Sequence, residues 1–262
     1  MPLVFTHILN QILFFAANEI LILEDCQTLL RPFKTLTVDL SGEQYPTAAL
    51  VIPLVCALEV KLDEATNVRT EEGHLLRAAL KDGVRDRLHQ YERNKVTRAS
   101  TFLDPKIKKC GFRVEEHFDD ARRQVEGELR TLISSNHRQA EDEPEDDAGP
   151  EPTSSLLDVV RRRVQTCRSA ATPTSSAMAM VTQYCQKPPK WNLNALTYWR
   201  SARATEKELA QLALRYAVVP ATSVPSERVF STAGQIVSAR RSRLKPEKAC
   251  MLIFLKQNRW LY

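Results

Sequence analysis

The sequence predicts a mainly α protein, and three observations carry that expectation. Only 7 of the 262 residues are glycine, too few for a turn-rich all-β chain or for glycine loops of the dinucleotide-binding kind. Long stretches are dominated by Leu, Ala, Glu, Lys and Arg, which are strong helix formers. Apolar residues also recur at intervals of three and four, most clearly at Leu75, Leu76, Leu80, Val84, Leu88 and Tyr91. With 43 % apolar residues, the chain can bury a core sized for one large or two small domains.

Each element follows from local chemistry. Leu3 to Leu23 is apolar but is interrupted by Thr6, His7, Asn10, Gln11, Asn18 and Glu19. No apolar run reaches the roughly 18 residues of a membrane span, so a core helix is expected and no membrane partner. Met1 to Val4 offers no side-chain cation for a signal peptide. Residues 5–36 read as one or two helices, with Pro32 marking the end. Tyr45 to Leu58 is almost wholly apolar and predicts a buried helix, with Pro53 as a kink or in its first turn. Residues 69–97 predict an amphipathic helix, Ala99 to Phe112 a loop-like connector around Pro105, and residues 113–134 a charged helix.

Glu141 to Glu151, EDEPEDDAGPE, has no large apolar residue and cannot offset the entropy of ordering, so 137–153 is expected to be a disordered linker. Ser154 or Ser155 should cap a short helix over Leu156 to Val164, and residues 168–180, rich in Ser, Thr and Ala, read as a loose connector. Trp191, Leu193, Leu196, Tyr198 and Trp199 form an aromatic anchor. A helix over Glu206 to Val218 should end at Pro220. Ser223 and Pro225 should open a short helix stopping at Gly234, and Pro246 should open the last one. The expected organisation is therefore a helical part over 1–136, the linker over 137–153, a short helix and connector over 154–186, and a C-terminal region over 187–262.

The net charge is +5, unevenly spread. From Thr205 to Tyr262 there are ten Lys/Arg and four Glu, so this end carries +6 and the remainder −1. A basic end on a neutral body suits nucleic-acid contact, and it also suits a solvated face. The six cysteines (26, 56, 110, 167, 185 and 250) include no Cys-x-x-Cys pair and do not combine with the histidines at zinc-finger spacing. They suit reduced thiols in a nucleus or cytosol.

The stretch PATSVPSERVFSTAGQIVSARRSRL (Pro220–Leu244), followed by KPEKACMLIFLKQN, closely resembles the C-terminal dimerisation region of hAT transposases and of their domesticated BED-finger relatives. Tyr198-Trp199-Arg200 resembles the tryptophan segment that precedes this region in the family. LSGEQYPTAALVIPL (Leu40–Leu54) and ASTFLDPKIKK (Ala99–Lys109) resemble parts of the family's helical insertion domain. The resemblance covers roughly residues 24–130 and 187–258. It implies a helical insertion domain joined to the C-terminal helices of an incomplete RNase H-like transposase fold.

That likeness carries a chemical expectation. Family enzymes use three carboxylates and Mg²⁺ for in-line phosphoryl displacement. Glu227, in Pro-Ser-Glu-Arg-Val-Phe-Ser, matches the third of them. The two aspartates should precede the insertion domain, and this sequence starts inside it. Asp104 is not their equivalent and reads as a loop or cap residue. The chain is thus expected to be non-catalytic, with no bound metal or cofactor, and Glu227 to serve a helix N-terminus. The alternative is the C-terminal fragment of an active hAT transposase whose N-terminal half, with a BED finger and both aspartates, lies elsewhere.

The expected function is dimerisation, homotypic or with related transposase-derived proteins in the nucleus. Its residues would be Leu212, Tyr216, Val219, Phe230, Leu252, Phe254 and Leu255, with Val218, Val229 and Ile253 adding apolar load. The competing reading is that the insertion domain covers this surface within one chain. Arg228, Arg240, Arg241, Arg243 and Lys245 are the candidate DNA phosphate contacts; a solvated turn or pairing with the acidic linker are the alternatives. Lys245 stands where the family usually has a Ser or Thr cap.

Overall fold

The structure is a computed structural model that describes residues 16–43, 45–141, 172–237 and 244–258, with Leu157, Val160 and Arg163 besides. Among the described residues there are ten α-helices and no strand. They are α1 (Ala17–Leu40), α2 (Val51–Asp63), α3 (Glu71–Leu88), α4 (Lys95–Phe102), α5 (Glu115–Glu141), α6 (Pro173–Gln186), α7 (Ala195–Ala202), α8 (Lys207–Ala217), α9 (Val224–Ile236) and α10 (Pro246–Gln257). No described helix is long and apolar enough to cross a membrane.

Helices α1 to α3 share a small core of Leu29, Val55, Leu58, Leu62, Val68 and Val84. Pro32 does not end α1 as expected; it lies inside a 24-residue helix. The carbonyl of Thr28 loses its donor there, but Thr28 borders an open groove of about 530 Å³ between α1 and α2, where solvent can serve it. Pro53 falls in the first turn of α2, behind a 3₁₀ turn at Ala48–Leu50. Leu75 is 66 % exposed, because the stripe of Leu76, Leu80, Val84 and Leu88 turns inward and leaves its neighbour outside.

A buried carboxylate ties α1 to α3. Asp25 accepts from the Arg69 and Thr70 amides (3.0 and 2.8 Å) and from the Thr70 hydroxyl (2.7 Å). The Thr70 hydroxyl in turn caps α3 by accepting from the Gly73 amide at 3.0 Å. A Cβ at Gly73 would stand 2.6 Å from the Asp25 carboxylate, so the close approach requires glycine. The Thr70 hydroxyl bond holds the Asp25 pKa below its usual value. Stability from this group is therefore present above the unfolded carboxylate pKa, about 3.9, and is lost as pH falls through the lower folded value. Asp25→Asn should lower the melting temperature at pH 7 and flatten its decline below about pH 4; parallel melting profiles of variant and parent from pH 7 to 3 would refute the lock.

Helices α4 to α8 form the larger core, with Phe102, Val125, Leu129, Val181, Tyr184, Trp199 and Leu209 at its centre. Two expectations are corrected here. Ala99 to Phe112 is a connector only in part: Asn94 caps α4, which runs through Phe102, by accepting from the Val96 and Thr97 amides, and the turn around Pro105 that follows is packed, with Leu103 and Ile107 buried like Ala99, Thr101 and Phe102. Residues 168–180 are not wholly loose: Thr172 caps α6, Pro173 opens it, and Ala177, Val181 and Tyr184 face the core. Serine and threonine are weak helix formers, and tertiary packing overrides that propensity. Helices α4 and α5 share one core with α6 to α8.

Helix α5 runs to Glu141, five residues into the stretch assigned to the linker. The rest of that stretch, 142–153, and the helix expected over Leu156 to Val164, apart from isolated positions, lie outside the described residues. So does the apolar leader up to residue 15.

Candidate dimerisation surface

The C-terminal helices are placed by their opening residues. Ser223 precedes α9 and Pro225 sits in its first turn. Helix α9 runs through Gly234 to Ile236 rather than stopping at the glycine, since nothing around Gly234 demands a turn. Pro246 opens α10, and Lys245 before it gives no side-chain cap. The two helices pack as a hairpin around buried Ile236 and Ala249, with Lys256 donating to Gln235 at 3.1 Å. Three hydrogen bonds tether the hairpin to the turn after α1: Arg228 to Glu43 (2.6 Å) and the Ser41 carbonyl (3.2 Å), and the Ala221 amide to the Thr47 hydroxyl (2.9 Å).

The expected dimerisation residues divide into two sets. Leu212 is 4 % exposed and belongs to the core shared with α5. Tyr216 is half-buried; its hydroxyl donates to Glu128 at 2.8 Å and accepts from Gln124 at 3.2 Å. Burial and the adjacent Glu128 carboxylate push its pKa up to about 12. Both are engaged within the chain, where helix α5 packs against α8. Four of the others face outward. Phe230 is 74 % and Phe254 58 % exposed, with Leu252 and Leu255 beside them and Val219 half-buried. Met251, which sequence reasoning passes over, joins the same exposed face. Trp191, expected in the aromatic anchor, is 75 % exposed; the anchor rests on Trp199 instead.

Val218 and Val219, with Pro220, Pro225 and Val229, line a groove of about 470 Å³ between the hairpin and the body; Tyr45 and Pro46 form its other wall. Of the candidate DNA contacts, Arg228 is engaged with Glu43, Lys245 is exposed, and Arg240, Arg241 and Arg243 lie outside the described residues. Glu227 is exposed in the first turn of α9 and accepts from the Ser223 hydroxyl at 2.7 Å. Among the described residues no group of three or more His, Cys, Asp or Glu side chains is placed to hold a metal ion.

The family-like stretch ASTFLDPKIKK holds the C-terminal region in place. The Phe102 carbonyl accepts from the Tyr184 hydroxyl (3.2 Å), that of Leu103 from the Trp199 indole (2.9 Å), and that of Pro105 from the Lys190 amide (2.9 Å). Asp104 caps this turn by accepting from the Lys106 amide at 2.8 Å, and burial raises its pKa. Lys108, with φ of 49°, returns the link: its buried ammonium donates to the Tyr184 and Lys187 carbonyls (2.6 and 2.5 Å) at the end of α6 and lies 4.1 Å from the Tyr184 ring centroid. Burial pulls the Lys108 pKa down to about 8.

Residues 180–259 match the hAT family C-terminal dimerisation region, so this part of the chain, from within α6 to the end of α10, carries that region. Over 230 residues, 87 % of its length, the chain is 28 % identical to human zinc finger BED domain-containing protein 4, and over 243 residues, 90 %, it is 25 % identical to human zinc finger protein 618. It spans 19 % and 23 % of those two proteins.

Proposed function

We propose that the chain is a non-catalytic, transposase-derived dimerisation module acting in the nucleus, and that copies associate through the exposed apolar face of α9 and α10. One observation carries the reading. Within the matched region, the helices before Val218 are covered by α4 to α6, whereas among the described residues nothing gives Phe230, Met251, Leu252, Phe254 and Leu255 such cover. Aromatic and aliphatic anchors of this kind dominate interfaces. On this reading α7 to α10 correspond to C-terminal helices of an RNase H-like fold, and partners are a second copy or a related transposase-derived protein. Nuclear residence is supported by the zinc-finger names of both relatives and by the basic C-terminal end. Exposed Lys245 supports a nonspecific contact to DNA phosphates, secondary to dimerisation.

The enzymatic alternative, a C-terminal fragment of an active transposase, would draw only Glu227 from this chain and its two aspartates from elsewhere. A two-metal site needs several carboxylate oxygens from separate elements, and Glu227 instead accepts from Ser223 in its own helix turn. The chain should therefore neither cleave nor join DNA with Mg²⁺ or Mn²⁺, and Glu227→Gln should leave its melting temperature nearly unchanged. Metal-dependent nicking that vanishes in Glu227→Gln would overturn the non-catalytic reading. Dimerisation itself is tested by sedimentation velocity across concentrations.

A further inference from the structure

We infer that the groove beside the hairpin is the receptacle of the dimer: Phe230 of one copy seats on Val218, Val219 and Pro220 of the other, and reciprocally about a two-fold axis. This deepens the dimerisation reading and rests on it. The two most exposed large apolar side chains described in the matched region, apart from Trp191, are Val218 at 76 % and Phe230 at 74 %. One lines the groove and the other stands outside it.

The groove has an apolar floor of Val218, Val219 and Pro220, and walls formed by Pro225 and Val229 on α9 and by Tyr45 and Pro46 after α1. Hydrogen bonds join its two sides, from Arg228 on α9 to Glu43 and from the Ala221 amide before α9 to the Thr47 hydroxyl. At about 470 Å³ it has room for an aromatic ring and its neighbours. Val229 belongs to the wall and Phe230 follows it on α9, so projection and receptacle are adjacent on one surface. Phe230 turns away from its own groove by the roughly 100° step of a helix and cannot fill it without unwinding α9. A second copy related by a two-fold rotation can, and each copy then supplies one aromatic and one groove, as an isologous contact requires. The occupant is a second copy of this chain, since eight of the thirteen residues lining the groove, its apolar floor among them, lie in the matched dimerisation region and only the wall at residues 42–47 lies outside it.

The test uses the full chain and a charge complementation. Wild type, Phe230→Lys and Val218→Glu are examined by sedimentation velocity at tens of micromolar (an order-of-magnitude choice), with circular dichroism confirming the fold of each. Both positions are exposed, so both variants should fold. Each alone should self-associate roughly tenfold more weakly or worse, and an equimolar mixture should recover a dimer. In the mixed dimer the introduced ammonium of one copy meets the introduced carboxylate of the other, while the second contact remains Phe230 on Val218. Val218→Glu that dimerises like wild type, or a mixture that stays monomeric, overturns the proposal and leaves the broader dimerisation reading standing. Removal of residues 260–262 that reproduces the Val218→Glu effect in full assigns the groove to the chain's own end and likewise overturns it. A monomeric wild type overturns both.

Discussion

Trp199→Ala should cost roughly 3–5 kcal/mol of stability, the range for emptying a large aromatic site in a packed core. Trp199 is 1 % exposed, its indole donates to the Leu103 carbonyl at 2.9 Å, and its ring packs 5.3 Å from Tyr184 and 4.9 Å from Tyr198 between centroids. The substitution empties the site and leaves a buried carbonyl unpaired at the turn that joins the two halves of the core. Urea denaturation measures the loss. Trp191→Ala is the control: that ring is 75 % exposed, and its removal should stay within about 0.5 kcal/mol. A loss below about 1 kcal/mol for Trp199→Ala would show that the FLDP turn does not organise the core.

The second large effect separates association from folding. Phe254→Ala should raise the dimer dissociation constant by about tenfold or more, because an aromatic anchor is removed from the interface. Its melting temperature, taken at concentrations where monomer prevails, should be unchanged, since the side chain is 58 % exposed in one chain. Leu212→Ala should do the reverse: this residue is 4 % exposed within the core, and its truncation should cost about 2–5 kcal/mol. Sedimentation and thermal melting on the two variants check the pair. Phe254→Ala melting far below the parent at low concentration would place that residue in an internal core instead.

How much the sequence reveals follows from how far each signal reaches. Pro225 and Pro246 in first turns and the stripe at Leu76, Leu80 and Val84 are local features whose physics is complete within one turn, whereas the break at Leu88 of the helix expected over 69–97 and the cap at Asn94 escape the sequence reading. The stretch 99–112 reads as a loop because proline, lysine and small polar residues imitate one. Its partners, Tyr184 and Trp199, lie 82 and 96 residues away, and no periodicity reports them. Which of the apolar residues of the C-terminal helices are covered within the chain is hidden in the same way. An amphipathic α8 announces an apolar face, but not that α5 covers Leu212 and Tyr216 while Phe230 and Phe254 stay bare. The groove at Val218 is invisible for a further reason, as its second wall, Tyr45 and Pro46, comes from the other end of the chain.

Sedimentation velocity of the unmodified chain over a concentration series tests the central claim most directly. A reversible rise from monomer to dimer is expected, with the dimer prevailing by tens of micromolar, an order-of-magnitude bound. A single monomeric species throughout that range would contradict it.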